Sequence, residues 1–319
     1  MGNLVAQERK MNILSYYLVG LRDLYKQRKR QMADNSKINH IAAELVRNTH
    51  SIEKGLCIEN PRLGFGHQKL DAIVSQIKEL KDSQNPYHQY AVNMAIDAIK
   101  EYLEFHKNQG HSEDFFSKLE EVLHYKSDDK ILGGTLNIDS SDFQFDISMI
   151  ERFFNSRHSI RDYSKEEVDD AMIEKALILA QKSPSACNRQ GVRTYVVGGN
   201  KLEFLIKQLP EIGGFADAAK RIIIITGKTS AYRSEELYQY TVSASMYAAY
   251  LSLTLHLYGM GACIVQRPVI WTNSWEKNRV DLQIPNDEQI VCMMTVGKLK
   301  DTFKVPISNR MGNAIYKFL

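Results

Sequence analysis

The chain has 319 residues, 44% of them apolar and 25% charged, a composition that fills a core and argues against disorder. Its 41 basic and 38 acidic side chains leave a net charge of +3, too small and too mixed to mark a binder of nucleic acid or of an anionic membrane. The four cysteines (Cys57, Cys187, Cys263 and Cys292) are far apart and form no C-x-x-C pair, which points away from zinc and dithiol chemistry and toward reduced thiols in a cytoplasmic protein.

Up to about Tyr125 the chain reads as helices. Leu4 to Arg30, Ile38 to Leu56, Gln68 to Lys81 and Tyr87 to Lys107 carry apolar residues at helical spacing. Met11 to Leu21 is apolar enough to imitate a leader, but no small-residue cleavage site follows, so an amphipathic helix is expected. No apolar run approaches the ~20 residues that cross a bilayer. Asn60 to Gly66 breaks the periodicity and predicts a loop. A polar stretch around Gly133-Gly134 and Asp139 to Asp142 sets the expected boundary: a helical domain over 1–142, a lid or cap, and a second domain over 143–319.

The second part alternates helices and strands. Asp146 caps a helix to about Asn155, and Ser164-Lys165-Glu166-Glu167 has capping-box spacing before a helix that stops ahead of Pro184. Strands are expected at Thr194 to Val197, Ile222 to Thr226, Ala262 to Val265 and Ile290 to Val296. Ile222 to Ile225 does not alternate, so both faces of that strand should be covered. Glu235 to Tyr258 is apolar nearly all round and predicts a central helix. The expected class is α+β, a short sheet layered between helices.

Two segments carry chemistry. Arg157-His158-Ser159-Ile160-Arg161 puts two guanidiniums and a hydroxyl on one short turn, and the planar fork of Arg matches phosphate oxygens. Ser183-Pro184-Ser185-Ala186-Cys187-Asn188-Arg189-Gln190 is a polar loop that runs into an apolar strand. Taken singly, Arg157 and Arg161 read as partners of Glu151 or Asp162 on the surface.

Together the two segments resemble the FMN-dependent nitroreductase family, with its Arg-x-Ser-x-Arg/Lys turn and Ser-Pro-Ser-Ser-x-Asn-x-Gln loop. Gly259-Met260-Gly261-Ala262-Cys263 resembles the family's Gly-Leu-Gly-x-Cys turn, and Asn309-Arg310 its late arginine. The resemblance spans roughly Ile147 to Leu319. It implies a nitroreductase-like three-layer domain, FMN as cofactor, NADH or NADPH as donor, and a homodimer with flavin at the interface. It implies that Arg157, Ser159 and Arg310 cradle the phosphate and that His158 touches the cofactor through its backbone. Arg161 would stabilise charge on the reduced ring; backbone amides after Gly261, at Ile264 and Val265, would face the flavin. Ser183, Pro184, Ser185 and Asn188 would reach the partner subunit's flavin. No side chain stands out as proton donor. The sequence departs from the family where Gly191-Val192 replaces Pro-Trp and where Ser243 stands for an Asp.

The expected activity is therefore reduction of a small organic acceptor by a ping-pong cycle. The alternatives are a non-catalytic flavin or ligand binder, or an oxygen-using flavin enzyme of the same family. Other signals lead elsewhere. Gly227-Lys228-Thr229 lacks the upstream glycine of a P-loop. His50 and Glu53 have no second ligand pair at metal-site spacing, so a buried hydrogen bond is expected. The segment from His50 to Gly66 suits either a lid or a structural cap. Cys187 and Cys263 read as packing residues, since no neighbour signals an activated thiolate.

Overall fold

The computed structural model describes residues 13–33, 36–207, 214–215, 218–266 and 279–318. Four long helices occupy the first part: α1 (Ile13–Gln31), α2 (Ser36–Leu56), α3 (His67–Leu80) and α4 (Pro86–Asn108). They match the helical periodicity; the first residues of the expected Leu4 helix lie outside the described residues. Ala42, Leu45, Val46 and Ile52 of α2 bury against Ile73 and Ile77 of α3 and Ile96, Ile99 and Tyr102 of α4. Full burial of such side chains contributes roughly 1.5–3 kcal/mol each. α4 starts where it does because the Asn85 side chain accepts from the Tyr87 N–H at 2.9 Å, and Pro86 fills the position whose N–H has no helical partner.

The loop before α3 is stapled into this core. Tyr102 donates to the Phe65 carbonyl at 2.8 Å, and the buried His106 accepts from the Gly64 N–H at 2.9 Å. His50 Nδ1 lies 3.1 Å from Glu53, which also accepts from the Gly134 N–H at 3.0 Å. The segment from His50 to Gly66 is thus built into the helical part by its own hydrogen bonds.

A short helix α5 (Phe116–Glu120) and a polar connection lead to α6 (Ile147–Ser156), capped by Asp146 as expected, with its carboxylate accepting from the Met149 N–H at 3.1 Å. The next helix, α7 (Asp170–Ala180), begins later than the Ser164 capping box predicts. Its cap is Asp169, which accepts from the Ala171 N–H at 2.9 Å. The box does not close: the Ser164 hydroxyl accepts from the Glu166 N–H at 3.2 Å, and its other parts are engaged elsewhere. The Ser164 N–H donates to the Lys298 carbonyl at 2.8 Å, Glu166 pairs with Lys298, and Glu167 pairs with Lys220 and Arg221.

The sheet has four antiparallel strands in the order β1 (Val192–Val197), β2 (Arg221–Lys228), β4 (Glu288–Lys298), β3 (Met260–Val265). In β2, Ile223 and Ile225 face α7 and α9 (Gln239–Leu257), while Ile222 and Ile224 face α8 (Gly199–Lys207). Both faces are covered, as the unalternating run predicts. The fold is α+β: helix, sheet, helix.

α9 starts four residues after the expected Glu235, because Arg233 to Tyr238 forms turns and Tyr238 takes a left-handed φ of 61°. It is also less central than its composition suggests. Ala244, Tyr247, Leu251 and Leu255 bury against the sheet layer, while Val242, Tyr250 and Leu257 are exposed. Among the described residues, no helix is long and apolar enough to cross a membrane.

Candidate functional site

The turn from Arg157 to Arg161 follows the end of α6 and is fastened to β3. The Ile160 N–H donates to the Ala262 carbonyl at 2.9 Å, extending the sheet by one bond beyond its edge. Ile160 is buried beneath Gly261, where a Cβ would come within 3.0 Å of its methyl group. Tyr163 locks the turn from below: its hydroxyl donates to the Ile160 carbonyl at 2.7 Å and meets Thr295 Oγ1 at 2.8 Å. Gly297 makes room for that ring, since a Cβ there would lie 2.5 Å from Tyr163.

With Ile160 and Tyr163 inside, the polar residues of the turn are left at the surface. Arg157, His158 and Ser159 are half-buried and Arg161 is exposed. The Arg161 guanidinium lies 3.5 Å from the Ser159 carbonyl and 5.8 Å from the Phe215 ring centre. Neither Arg157 nor Arg161 pairs with a carboxylate among the described residues, neither Glu151 nor Asp162; Asp162 is taken by Lys300. Both guanidiniums reach Cys263 of β3 with their fields, opposing the burial that pushes its thiol up. His256, on the last turn of α9, meets Ser156 Oγ at 2.8 Å. Burial, then the charges of Arg157 and His158, holds its imidazole below the usual range. The turn, β3 and the end of α9 therefore share one electropositive corner.

Gly261, Ile264 and Val265 lie on β3 beside this corner, Ile264 exposed and Val265 buried. Two other expected groups lie elsewhere in the chain. Arg310 is exposed and donates to the Ser308 carbonyl; no hydrogen bond or ion pair joins it to the turn among the described residues. The loop from Ser183 to Gln190 docks instead on α4. Gln190 Nε2 donates to the Tyr90 hydroxyl at 2.8 Å, and the Tyr87 hydroxyl to the Arg189 carbonyl at 2.8 Å. Ser185 Oγ accepts from the Gln190 N–H at 3.0 Å, Asn188 and its neighbour Cys187 hold φ of 52°, and Pro184 is exposed. Left-handed backbone at several non-glycine residues is costly and persists only where the surroundings enforce it.

The enforcing residue is Arg189, which has no exposed surface. Its guanidinium donates to Glu236 at 2.7 and 2.6 Å, to the Ala231 carbonyl at 3.1 Å and to the Ala186 carbonyl at 3.0 Å, and lies 4.6 Å from the Tyr232 ring centre. Sequence reasoning missed it, because one Arg in a Ser-Asn-Gln loop looks like a solvated one. It also missed Tyr163, whose only signal is an aromatic directly after a polar turn. Of the two thiols read as packing residues, Cys263 is buried with its thiol pushed up by burial and Cys187 is half-buried; burial pushes Cys292 up to about 12, and all four cysteines are free.

Residues 155–213 match the sequence model of the nitroreductase family. Among solved structures, an FMN-dependent nitroreductase from Clostridium difficile R20291 is similar at 23% identity and a TM-score of 0.44, over 52% of this chain and 96% of that one. A nitroreductase-like protein from Streptococcus mutans is similar at 20% identity and a TM-score of 0.45, over 54% and 98%. A protein from Desulfovibrio desulfuricans, described as a nitroreductase in complex with FMN, is similar at 20% identity and a TM-score of 0.42, over 50% and 92%. No curated protein matches the chain.

Proposed function

We propose that this chain is an FMN-dependent oxidoreductase in which NADH or NADPH serves as donor and a small organic molecule as acceptor, the two occupying one cleft in turn. The supporting observation is the corner itself. Two guanidiniums without carboxylate partners among the described residues sit on a turn fastened to β3, and the turn lies inside the segment that matches the family model. Such a corner fits a terminal phosphate dianion. Bound FMN would supply reversible exchange of two electrons. Arg157 and Ser159 would hold its phosphate and His158 its edge through backbone. Arg161 would favour negative charge on the ring electrostatically, and the backbone of Gly261, Ile264 and Val265 would line it.

Arg310 would complete the cradle from the exposed tail. Ser183, Pro184, Ser185 and Asn188 would serve the flavin of a second copy, which makes the working form a homodimer. The exposed apolar residues of α6, with Ile147 at 72% and Phe154 at 55% exposure, suit such burial. In this reading residues 143–319 form the flavin domain, the helical part over 1–142 caps it, and four unpaired thiols suit the cytoplasm.

The test is an absorbance spectrum of the purified chain after FMN is supplied and excess removed. A retained yellow band, bleached by NADH or NADPH without oxygen, is expected. Arg157→Ala should weaken retention by about 1.5–3 kcal/mol, the worth of one hydrogen bond to a charged group. A colourless protein overturns the reading. Bound flavin indifferent to both donors turns it into a binder, and oxygen consumption without an added acceptor into an oxygen-using enzyme.

A further inference from the structure

α1 exposes the kind of side chain that its neighbours bury. Ile13, Leu14, Tyr17, Leu18, Leu21 and Tyr25 recur at spacings of three and four, which places them on one face. That face points away from the rest of the chain: all six side chains are between 58% and 76% exposed. The side that packs is mixed. Gln27 is buried, Asp23 is half-buried beside Val19 and Leu24, and Gln31 Nε2 lies 3.5 Å from the Arg233 carbonyl. In α2, α3 and α4 the order is the usual one, with Leu45, Ile77 and Ile96 fully inside. A contiguous exposed apolar face of this kind marks a contact surface.

Charge borders the stripe. α1 holds five basic residues against one acid, Asp23, and Arg28, Lys29 and Arg30 stand together in its last turn. Arg22, Lys26 and Lys29 repeat at the same spacing along the flank of the apolar face. Among the described residues none of Arg22, Lys26, Arg28 and Lys29 pairs with a carboxylate, and Arg28 donates to the Gln31 side-chain oxygen at 3.5 Å. The whole-chain balance of 41 basic and 38 acidic residues averages this concentration away.

That charge selects the cover. A second copy laid on the face by two-fold symmetry would bring the same four cations against themselves, and like charges brought together oppose such a contact. A layer of anionic headgroups accepts all four at once. The helix is about 28 Å long at 1.5 Å per residue, and a helix with an apolar face and a basic flank lies flat with that face about 5–10 Å below the headgroups. Tyr17 and Tyr25 suit the boundary, each with an apolar ring and a wettable hydroxyl, and the long stems of Lys and Arg reach past the stripe to phosphates.

We propose that α1 docks the chain on an anionic lipid surface, with the stripe from Ile13 to Tyr25 inserted and Arg22, Lys26, Arg28 and Lys29 on lipid phosphates. The contact is peripheral. It lies outside the segment that matches the family model, and it requires no flavin.

Co-sedimentation of the full chain with vesicles tests it. Vesicles of phosphatidylglycerol and phosphatidylcholine in equal parts should take up the chain at least tenfold more strongly than vesicles of phosphatidylcholine alone, because each cation near a charged surface adds its own attraction. Added salt should erase most of that difference. Leu18→Asp combined with Leu21→Asp should abolish uptake, and Arg28→Gln combined with Lys29→Gln should lower it at least tenfold. The wild-type comparison of the two vesicles stands even where a variant fails to fold. No uptake, equal uptake by both vesicles, or uptake unchanged in both double variants overturns the proposal. A chain that ignores vesicles, and that Leu18→Asp with Leu21→Asp splits from dimer to monomer, gives the face to a second copy and overturns it as well.

Discussion

Arg189 shows how one residue decides the shape of a loop. It is wholly buried, and the pair it makes with Glu236 depresses that carboxyl to about 2, the hydrogen bond from Arg189 outweighing burial. The folded value lies below the ordinary 4.5, so the pair stabilises the fold fully above that value and is lost as pH falls toward about 2. Urea stability should drop across that window, and Glu236→Gln should flatten the drop; an unchanged slope would separate Glu236 from acid sensitivity. Arg189→Met should cost about 3 kcal/mol, near the low end for a broken buried pair because Glu236 is partly wet. None of this was legible in the sequence. The partner is 47 residues away, and the residue type is one that almost always faces water.

Secondary elements were far more legible, because hydrophobic period is a local property. α2, α3, α4 and the four strands lie where pattern puts them, and Asp146 caps α6 by short-range chemistry. The misses share a cause. Ser164 has the right spacing for a cap, yet its N–H is drawn to Lys298 and both glutamates to cations elsewhere. The turns before α9 exist because Glu236 serves Arg189 and also accepts from the Arg233 N–H at 2.8 Å. Long-range partners outbid local ones at both helix starts. Asp169→Ala should therefore cost about 1 kcal/mol, the usual worth of an N-cap. Ser164→Ala should cost well under half of that. Denaturant melts of the two variants decide between the caps.

At the scale of the molecule, the sequence supplied the ingredients of the corner but not its assembly. It named the arginine turn and the strand after Gly261, which do meet. It could not show that Ile160 bonds to Ala262 or that Tyr163 holds the turn from beneath, since both depend on strand order. Within one chain the loop at Ser183 is bonded to α4 and not to that corner, which is why the proposed function gives it to the flavin of a second copy. Phe154→Glu on the exposed face of α6 should shift sedimentation from dimer to monomer and release flavin together; a dimer that persists would place the interface elsewhere.

α2 belongs to two interiors at once. Ala42 and Leu45 lie among the neighbouring helices, while Ala43 lies in the cluster on the α7 and α9 side of the sheet. Glu44 and Arg233 tie the same helix across by a bidentate clamp. The exposed connection around Ile131 and Leu136 is the only covalent bridge between these parts. A protease that severs it would release nothing: the two fragments should stay clasped around α2 and melt as one body.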